Sequence, residues 1–144
     1  MVAVQAGVED AITKSSEEVT FHLIREQGTA EQIASSMQKV CMAECPPTAM
    51  VVTRARQVLT AISWLASRQM SVPKDMSLMA LTYDNLFEAL VPPVAYYHLN
   101  VSIMARGLVR KLDAVLDGRE QDEKLLIPDF VLGKSVRRLE EDDA

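Results

Sequence analysis

The sequence predicts an α/β fold, a three-layer sandwich with a mostly parallel sheet. Short apolar runs alternate with longer amphipathic segments along most of the chain, and several of the runs are continuously apolar. Continuous runs are typical of strands that are covered on both faces, and parallel neighbours need crossover helices between them. The chain has 144 residues, close to the commonest size of one domain.

The first predicted elements are a helix at 2–13, a strand at 19–24 and a helix at 29–45. Val4, Val8 and Ile12 repeat at helical spacing in the first helix. Residues 19–24 are rich in β-branched and aromatic side chains, which favours a strand. The second helix begins with a capping-box signature formed by Thr29 and Gln32.

The central predicted elements are strands at 49–52 and 76–81 that flank a helix at 56–70. Both strands are apolar runs too short to be helices. The inward face of the helix is predicted to carry Val58, Leu59, Ile62 and Leu65. By helical count Trp64 lies opposite that face, so we expect its side chain to be partly exposed.

The last predicted elements are a short helical turn within 83–90, a strand at 94–97, a helix at 101–117 and an extended segment at 125–132. One stripe of the long helix carries Val101, Met104, Leu108, Leu112 and Val115. Gly118 stands where a C-cap glycine is expected. Residues 1–136 are predicted to form the domain, and residues 137–144 a disordered acidic tail.

Composition narrows the possible functions. Apolar residues make up 49% of the chain, which excludes a largely disordered protein. The net charge of −5 argues against nucleic-acid binding by this chain alone. The sequence shows neither an apolar run long enough for a membrane span nor a secretory signal, so we expect a cytoplasmic protein with no membrane partner. Cys41 and Cys45 favour free thiols over a disulfide.

The sequence predicts neither catalytic residues nor a cofactor. It contains no Gly-rich phosphate loop, paired-carboxylate motif or metal-ligand spacing. His22 and His98 fall on separate predicted strands, and no nucleophile elbow accompanies them. We therefore expect a protein that is not an enzyme and binds no metal.

Several motifs occur in an order and at distances typical of one family. They are Pro47-Thr48-Ala49 before a buried strand, Val72-Pro73-Lys74-Asp75-Met76-Ser77 before the next, Pro92-Pro93, Met104-Ala105-Arg106, and Pro128 to Ser135. This order resembles the lactose-repressor (LacI/GalR) family of bacterial transcription regulators, over about residues 4 to 136. The spacing of the second motif carries most of the resemblance.

The resemblance implies a type I periplasmic-binding-protein-like fold, in which two α/β lobes hold a small-molecule effector in the cleft between them. The chain aligns with the C-terminal half of that domain, so we expect a partial effector domain, mainly one lobe, without a DNA-binding headpiece. The resemblance implies that the full-length protein contacts DNA only through that headpiece, which this chain is expected to lack. It also implies a homodimer. Alternative interpretations are a solute-binding module of a transport system and a stand-alone interaction lobe.

The sequence departs from the family pattern at its charged cleft positions. Counted without gaps, Val4 replaces an arginine, Ala55 and Thr82 replace aspartates, and Gly133 replaces the arginine of the closing segment. A shift of two residues would use Asp84 in place of Thr82, but it would break the distance to Pro92-Pro93. The cleft therefore either takes a different ligand or has lost effector binding. Candidate ligand-binding residues are Arg54, Ala55, Thr82 and Tyr83.

Two of these candidates have simpler alternatives. Arg54 could hold an acidic effector through its guanidinium, or it could be a solvent-facing residue at the end of a strand. Thr82 could contact the ligand or serve as a turn or cap hydroxyl.

The helix predicted at 56–70 is a candidate for contact between two copies of the chain. The resemblance implies that the protein dimerises through helices of this lobe. A partly exposed Trp64 would be a mild indication of such an interface. Arg56 and Trp64 are therefore the candidate dimer residues, and packing within the lobe is the alternative.

Overall fold

A computed structural model shows an α/β fold with a mostly parallel open sheet, as predicted. It describes residues 2–25, 29–119 and 126–138. The elements are α1 (Val2–Lys14), α2 (Ala30–Cys41), β1 (Ala49–Val52), α3 (Ala55–Ser67), β2 (Ser77–Ala80), a 3-10 helix (Asn85–Ala89), β3 (Ala95–His98), α4 (Val101–Leu116) and β4 (Asp129–Val131).

The four strands form one sheet in the order β1-β2-β3-β4. The β1–β2 and β2–β3 pairs are parallel, with Met79 beside Ala95 in the second pair. The β3–β4 pair is antiparallel and places Tyr97 beside Phe130. Because β1, β2 and β3 run in the same direction, their carboxyl ends lie at one edge of the sheet.

Helices α2 and α3 pack together, and α3 also contacts β1. The predicted capping box starts α2: the Gln32 amide N–H donates to Thr29 Oγ1 at 3.4 Å, and the Thr29 N–H donates to Gln32 Oε1 at 3.0 Å. Buried side chains of the two helices and the sheet form one core; its fully buried members include Met37, Val58, Leu65, Leu78 and Phe87.

The prediction of a partly exposed Trp64 is wrong. Trp64 retains only 8% of its exposed surface, and the guanidinium carbon of Arg68 lies 5.6 Å from its ring centroid. The physical reason is that α3 is covered by both the sheet and α2, so its buried face is wider than one apolar stripe. Ala61, between the predicted inward face and Trp64, is buried as well.

The motif at residues 72–77 has a structural function. A carboxylate oxygen of Asp75 accepts hydrogen bonds from the Ser71 amide and the Ser71 hydroxyl, both at 2.7 Å. These bonds close the turn before β2 and hold the pKa of Asp75 below its usual value, chiefly through the backbone N–H of Ser71. The hydroxyl of Ser77 accepts the Arg137 amide at 3.1 Å, which ties the closing segment to β2.

The closing segment passes close to β2 and β3. The buried Ser135 hydroxyl accepts the Ala95 N–H at 2.8 Å and donates to the Leu78 carbonyl at 2.6 Å. A Cβ at Gly133 would clash with the carbonyl oxygen of Pro93 and the backbone of Val94. This close approach leaves no room for a side chain at residue 133.

The prediction of a strand at residues 19–24 is wrong. Val19, Phe21 and Leu23 are exposed, and the segment belongs to no sheet in the described chain. Only Ile24 packs against the core. A β-favouring composition gives no strand without a neighbouring strand to accept its hydrogen bonds, because strand propensity depends on context.

Helix α4 is well capped but poorly buried. The Asn100 side chain accepts the Ile103 N–H at 3.1 Å, and Gly118 has a φ of 65°, as expected of a C-cap glycine. Ala114 is the buried residue of α4, whereas the predicted apolar stripe is largely exposed. The acidic segment 120–123 and the tail from residue 139 lie outside the described residues.

Both cysteines are free thiols, as predicted. Cys41 is buried in the core, and burial raises the pKa of its thiol, whereas Cys45 is exposed. Within the described ranges, no helix combines the length and apolar composition needed to cross a bilayer.

A candidate ligand-binding edge of the sheet

The carboxyl ends of β1, β2 and β3 bring the predicted ligand-binding residues to one edge. Arg54 and Ala55 follow β1, and Thr82 and Tyr83 follow β2. The parallel registers Val52↔Ala80 and Ala80↔Tyr96 align these strand ends with the end of β3. Open α/β sheets bind ligands outside the carboxyl ends of their strands. We name this edge the ligand edge.

Arg54 is the N-cap residue of α3. Its backbone is extended, its side chain makes no capping hydrogen bond, and its carbonyl accepts the N–H groups of Gln57 and Val58 at 2.9 and 3.2 Å. The side chain is exposed. A guanidinium at a helix N-terminus, where the helix dipole is positive, suits an anionic group. Ala55 is half-buried against the core and offers only a methyl group to the edge.

Thr82 joins the ends of β1 and β2. Its hydroxyl donates to the Thr53 carbonyl at 3.5 Å, and the Thr53 hydroxyl donates to Gln57 Oε1 at 3.3 Å. Arg54 follows Thr53 and Tyr83 follows Thr82, so the structure brings these two candidate residues to either side of one interstrand contact. Asp84, the alternative acidic residue in this stretch, accepts the Leu86 N–H and caps the 3-10 helix.

Tyr83 belongs to an aromatic cluster. Its ring centroid lies 5.0 Å from that of Tyr96 and 5.3 Å from that of His98, and Phe87 lies 5.9 Å from Tyr96. The Tyr83 hydroxyl donates to Glu88 Oε1 at 2.9 Å, and this bond to the carboxylate raises the pKa of Tyr83. Tyr96, His98 and Glu88 are not among the site residues that the sequence predicts.

One sequence signal could have found Tyr96 and His98. They are two residues apart on a predicted strand, so they lie on one face of the sheet, while Tyr97 lies on the other. Tyr97 instead packs against Phe130, with ring centroids 5.2 Å apart. Only the register with β2 reveals that Tyr83 joins the first pair.

The candidate dimer residues differ in exposure. Arg56 is exposed on α3, but the buried Trp64 is part of the core and offers little surface to a partner. A groove of about 390 Å³ lies between α3 and the loop before β3; it is lined by Ile62, Ala66, Gln69, Met70, Ser71, Val72, Val91 and Pro92. Val91 is 95% exposed at its rim.

The two histidines have different surroundings. His22 is exposed on the extended segment 19–24, and His98 contacts the Tyr83 ring. No group of three or more histidine, cysteine, aspartate or glutamate side chains is placed to hold a metal ion in the described part of the chain. The arrangement at the ligand edge is therefore one that can bind: a cation, a hydroxyl and aromatic rings.

The sequence matches the family model of a periplasmic binding protein-like domain over residues 3–136. Comparison with curated protein sequences gives no match. A solved LacI family transcriptional regulator from Bifidobacterium animalis subsp. lactis superposes with a TM-score of 0.81 at 17% identity, covering 92% of this chain and 48% of that one.

Two other solved structures match this chain with similar TM-scores, identities and coverage. A regulatory protein of the LacI family from Chloroflexus aggregans has a TM-score of 0.78 at 20% identity, with 92% and 49% of the two chains covered. A sugar-binding transcriptional regulator of the LacI family from Escherichia coli, complexed with phosphate, has a TM-score of 0.76 at 19% identity, with 92% and 48% covered. The chain thus spans about half the length of the structures it matches.

Proposed function

Because the chain belongs to the periplasmic binding protein-like domain family, we propose that it is part of the effector-binding domain of a LacI/GalR-like transcription regulator. The observation that carries the proposal is the family match over nearly the whole chain together with coverage of only half of each regulator. In this proposal a small molecule binds at the ligand edge, between this lobe and a second lobe. The chain binds rather than catalyses, and as part of a regulator it acts in the cytoplasm.

The exposed stripe of α4 supports a second lobe. Val101, Leu108, Leu112 and Val115 are all more than half exposed on one side of the helix. Clustered apolar surface of this kind is unusual on a monomer and marks a surface that another part of a protein covers. We assign that covering to a second lobe, because the matched structure contains about as much chain again outside the part that aligns here.

The mechanism follows from linkage. An effector that binds one arrangement of the two lobes more tightly shifts the protein toward that arrangement, by no more than its difference in affinity. In a dimeric regulator the shift changes how two headpieces meet DNA. We assign DNA contact to such a headpiece and not to these residues, whose net charge is −5.

Dimerisation is the second part of the proposal. We propose that two copies of the chain meet at the groove beside α3. Val91, which is almost fully exposed, supplies apolar surface there in place of the buried Trp64, and Arg56 remains a candidate polar residue. Sedimentation analysis of the chain and of Val91→Lys tests it. We expect the variant to be monomeric at concentrations where the parent chain dimerises, with Val19→Lys on the exposed segment 19–24 as the control. Equal sedimentation of all three proteins would contradict this contact.

Ligand binding at the edge is testable by amide NMR of the 144-residue chain. The probes are glucose, glucose 6-phosphate, glutamate and adenosine monophosphate, and the signals to follow are those of residues 53–57 and 82–84. We expect an anionic probe to shift these signals, and Arg54→Gln to weaken its binding about tenfold, since the variant removes a charge-assisted hydrogen bond.

Arg68→Gln is the matched control for that experiment. It removes the same charge from an exposed position at the C-terminal end of α3, opposite the end that Arg54 caps, and should leave binding unchanged. Failure of every probe to shift signals at the ligand edge would contradict retained effector binding.

A further inference from the structure

The rings of Tyr83, Tyr96 and His98 form a continuous surface at the ligand edge, which we name the aromatic platform. Tyr83 lies within 5.3 Å of both other rings, centroid to centroid, and is 40% exposed. Tyr96 and His98 are half-buried. Ring faces and edges are thus accessible at the place where the fold binds ligands.

Two contacts hold the rings of the aromatic platform in place. The fully buried Phe87 packs against Tyr96 and anchors that ring to the core. The hydrogen bond from the Tyr83 hydroxyl to Glu88 fixes the outer ring. Ligand stacking on rings that are already ordered loses less side-chain entropy than stacking on mobile ones.

The positive charge of Arg54 at the ligand edge indicates a second feature of the ligand, an anionic group. Arg54 and Tyr83 each follow, in the chain, one partner of the contact between Thr53 and Thr82, so an exposed cation and an exposed aromatic residue come from the same edge of the sheet. Ala55 and Thr82 stand at the positions that carry aspartates in the family pattern. Their side chains cannot accept hydrogen bonds from several sugar hydroxyls as two carboxylates do.

We propose that the aromatic platform and Arg54 bind a planar aromatic acid. Its ring stacks on Tyr83 and meets His98 edge-to-face, since those two rings are nearly perpendicular, and its anionic group binds Arg54. The inference rests on the proposed function, because it names the ligand class of the same site. Offset or edge-to-face contact between rings is favourable beyond the area it buries, so a planar ring gains over a saturated one of equal size.

The experiment compares 2-naphthoate with its saturated analogue, decahydro-2-naphthoate, on the 144-residue chain labelled in its tyrosine and histidine rings. We expect 2-naphthoate to shift the Tyr83 and His98 ring signals upfield and to bind about three- to tenfold more tightly than the saturated acid. Tyr83→Leu should abolish the shift of the His98 signals, and Tyr83→Phe should restore it because the ring remains.

Tyr97→Leu is the matched control, since it removes a tyrosine ring from the opposite face of the same strand. It should leave 2-naphthoate binding unchanged. Amide spectra of each variant establish that it is folded.

Equal affinity for the two acids would overturn the inference, as would naphthoate shifts confined to the Tyr97 ring. If glucose 6-phosphate shifts the ligand edge and 2-naphthoate does not, the inference fails and the proposed function stands. If neither these acids nor any of the four earlier probes reaches the edge, both fail.

Discussion

Two regions of this chain have similar amphipathic sequences and very different packing. In β2 and α3, Leu78, Val58 and Leu65 lose all of their exposed surface on folding. In α4, Leu112 keeps 59% of its exposed surface and Leu116 keeps 76%. The apolar side chains of β2 and α3 are covered by other described parts of the chain, whereas those of α4 are not.

The contrast teaches that an apolar stripe predicts a buried face but not which segment covers it. The apolar periodicity of α4 is as regular as that of α3. For α3 that environment is α2 and the sheet. For α4 the proposed environment is the second lobe. The following predictions test this difference, beginning with the largest expected effect.

Leu78→Ala and Leu112→Ala remove the same atoms from the two regions. Leu78→Ala should lower the free energy of unfolding by about 3 kcal/mol, because it leaves a cavity in a closed core. Leu112→Ala should change it by less than about 0.5 kcal/mol, because the side chain is mostly solvated already. Urea denaturation measures both, and losses of similar size would mean that α4 is packed in solution.

Ser135→Ala tests the polar link within the packed region. It leaves the buried Ala95 N–H and Leu78 carbonyl without the hydroxyl that bonds both, and we expect a loss of about 2 kcal/mol. Ser102→Ala, at an exposed position of α4, is the control and should have little effect. The interpretation of Ser135 as the link between β2 and β3 is wrong if the two variants unfold at the same urea concentration.

Asp75→Asn gives the smallest effect, visible as a pH dependence. The pKa of Asp75 is lower in the folded chain than in the unfolded one, so its carboxylate stabilises the fold above about pH 4. That contribution is lost as the pH falls through the folded-state pKa. Thermal unfolding of both proteins from pH 6 to pH 2.5 should therefore show a difference that shrinks toward acid, whereas a constant difference would contradict the role of the turn.

Much of the fold could be predicted from the sequence because local rules decide it. The capping box at Thr29 and the glycine conformation at Gly118 depend on neighbouring residues alone. The strand predicted at 19–24 and the exposure predicted for Trp64 depended on distant partners, and both predictions were wrong. Composition and helical count carry no information about what lies opposite a side chain.

The candidate site could be predicted only in part, for the same reason. Arg54, Thr82 and Tyr83 follow strands that a motif order identifies, and the parallel sheet brings them to one edge. Tyr96 and His98 join them through the register of β2 against β3, which no local pattern in the sequence specifies.

Amide hydrogen exchange of the 144-residue chain tests the difference between the two regions most directly. If α4 lacks its covering lobe, its amides should exchange on the order of 100-fold faster than those of β2 and α3, because local opening of α4 exposes little further apolar surface. Protection of α4 equal to that of β2 would show that the chain already buries this helix, and would contradict the account of a single lobe whose partner lobe lies outside it.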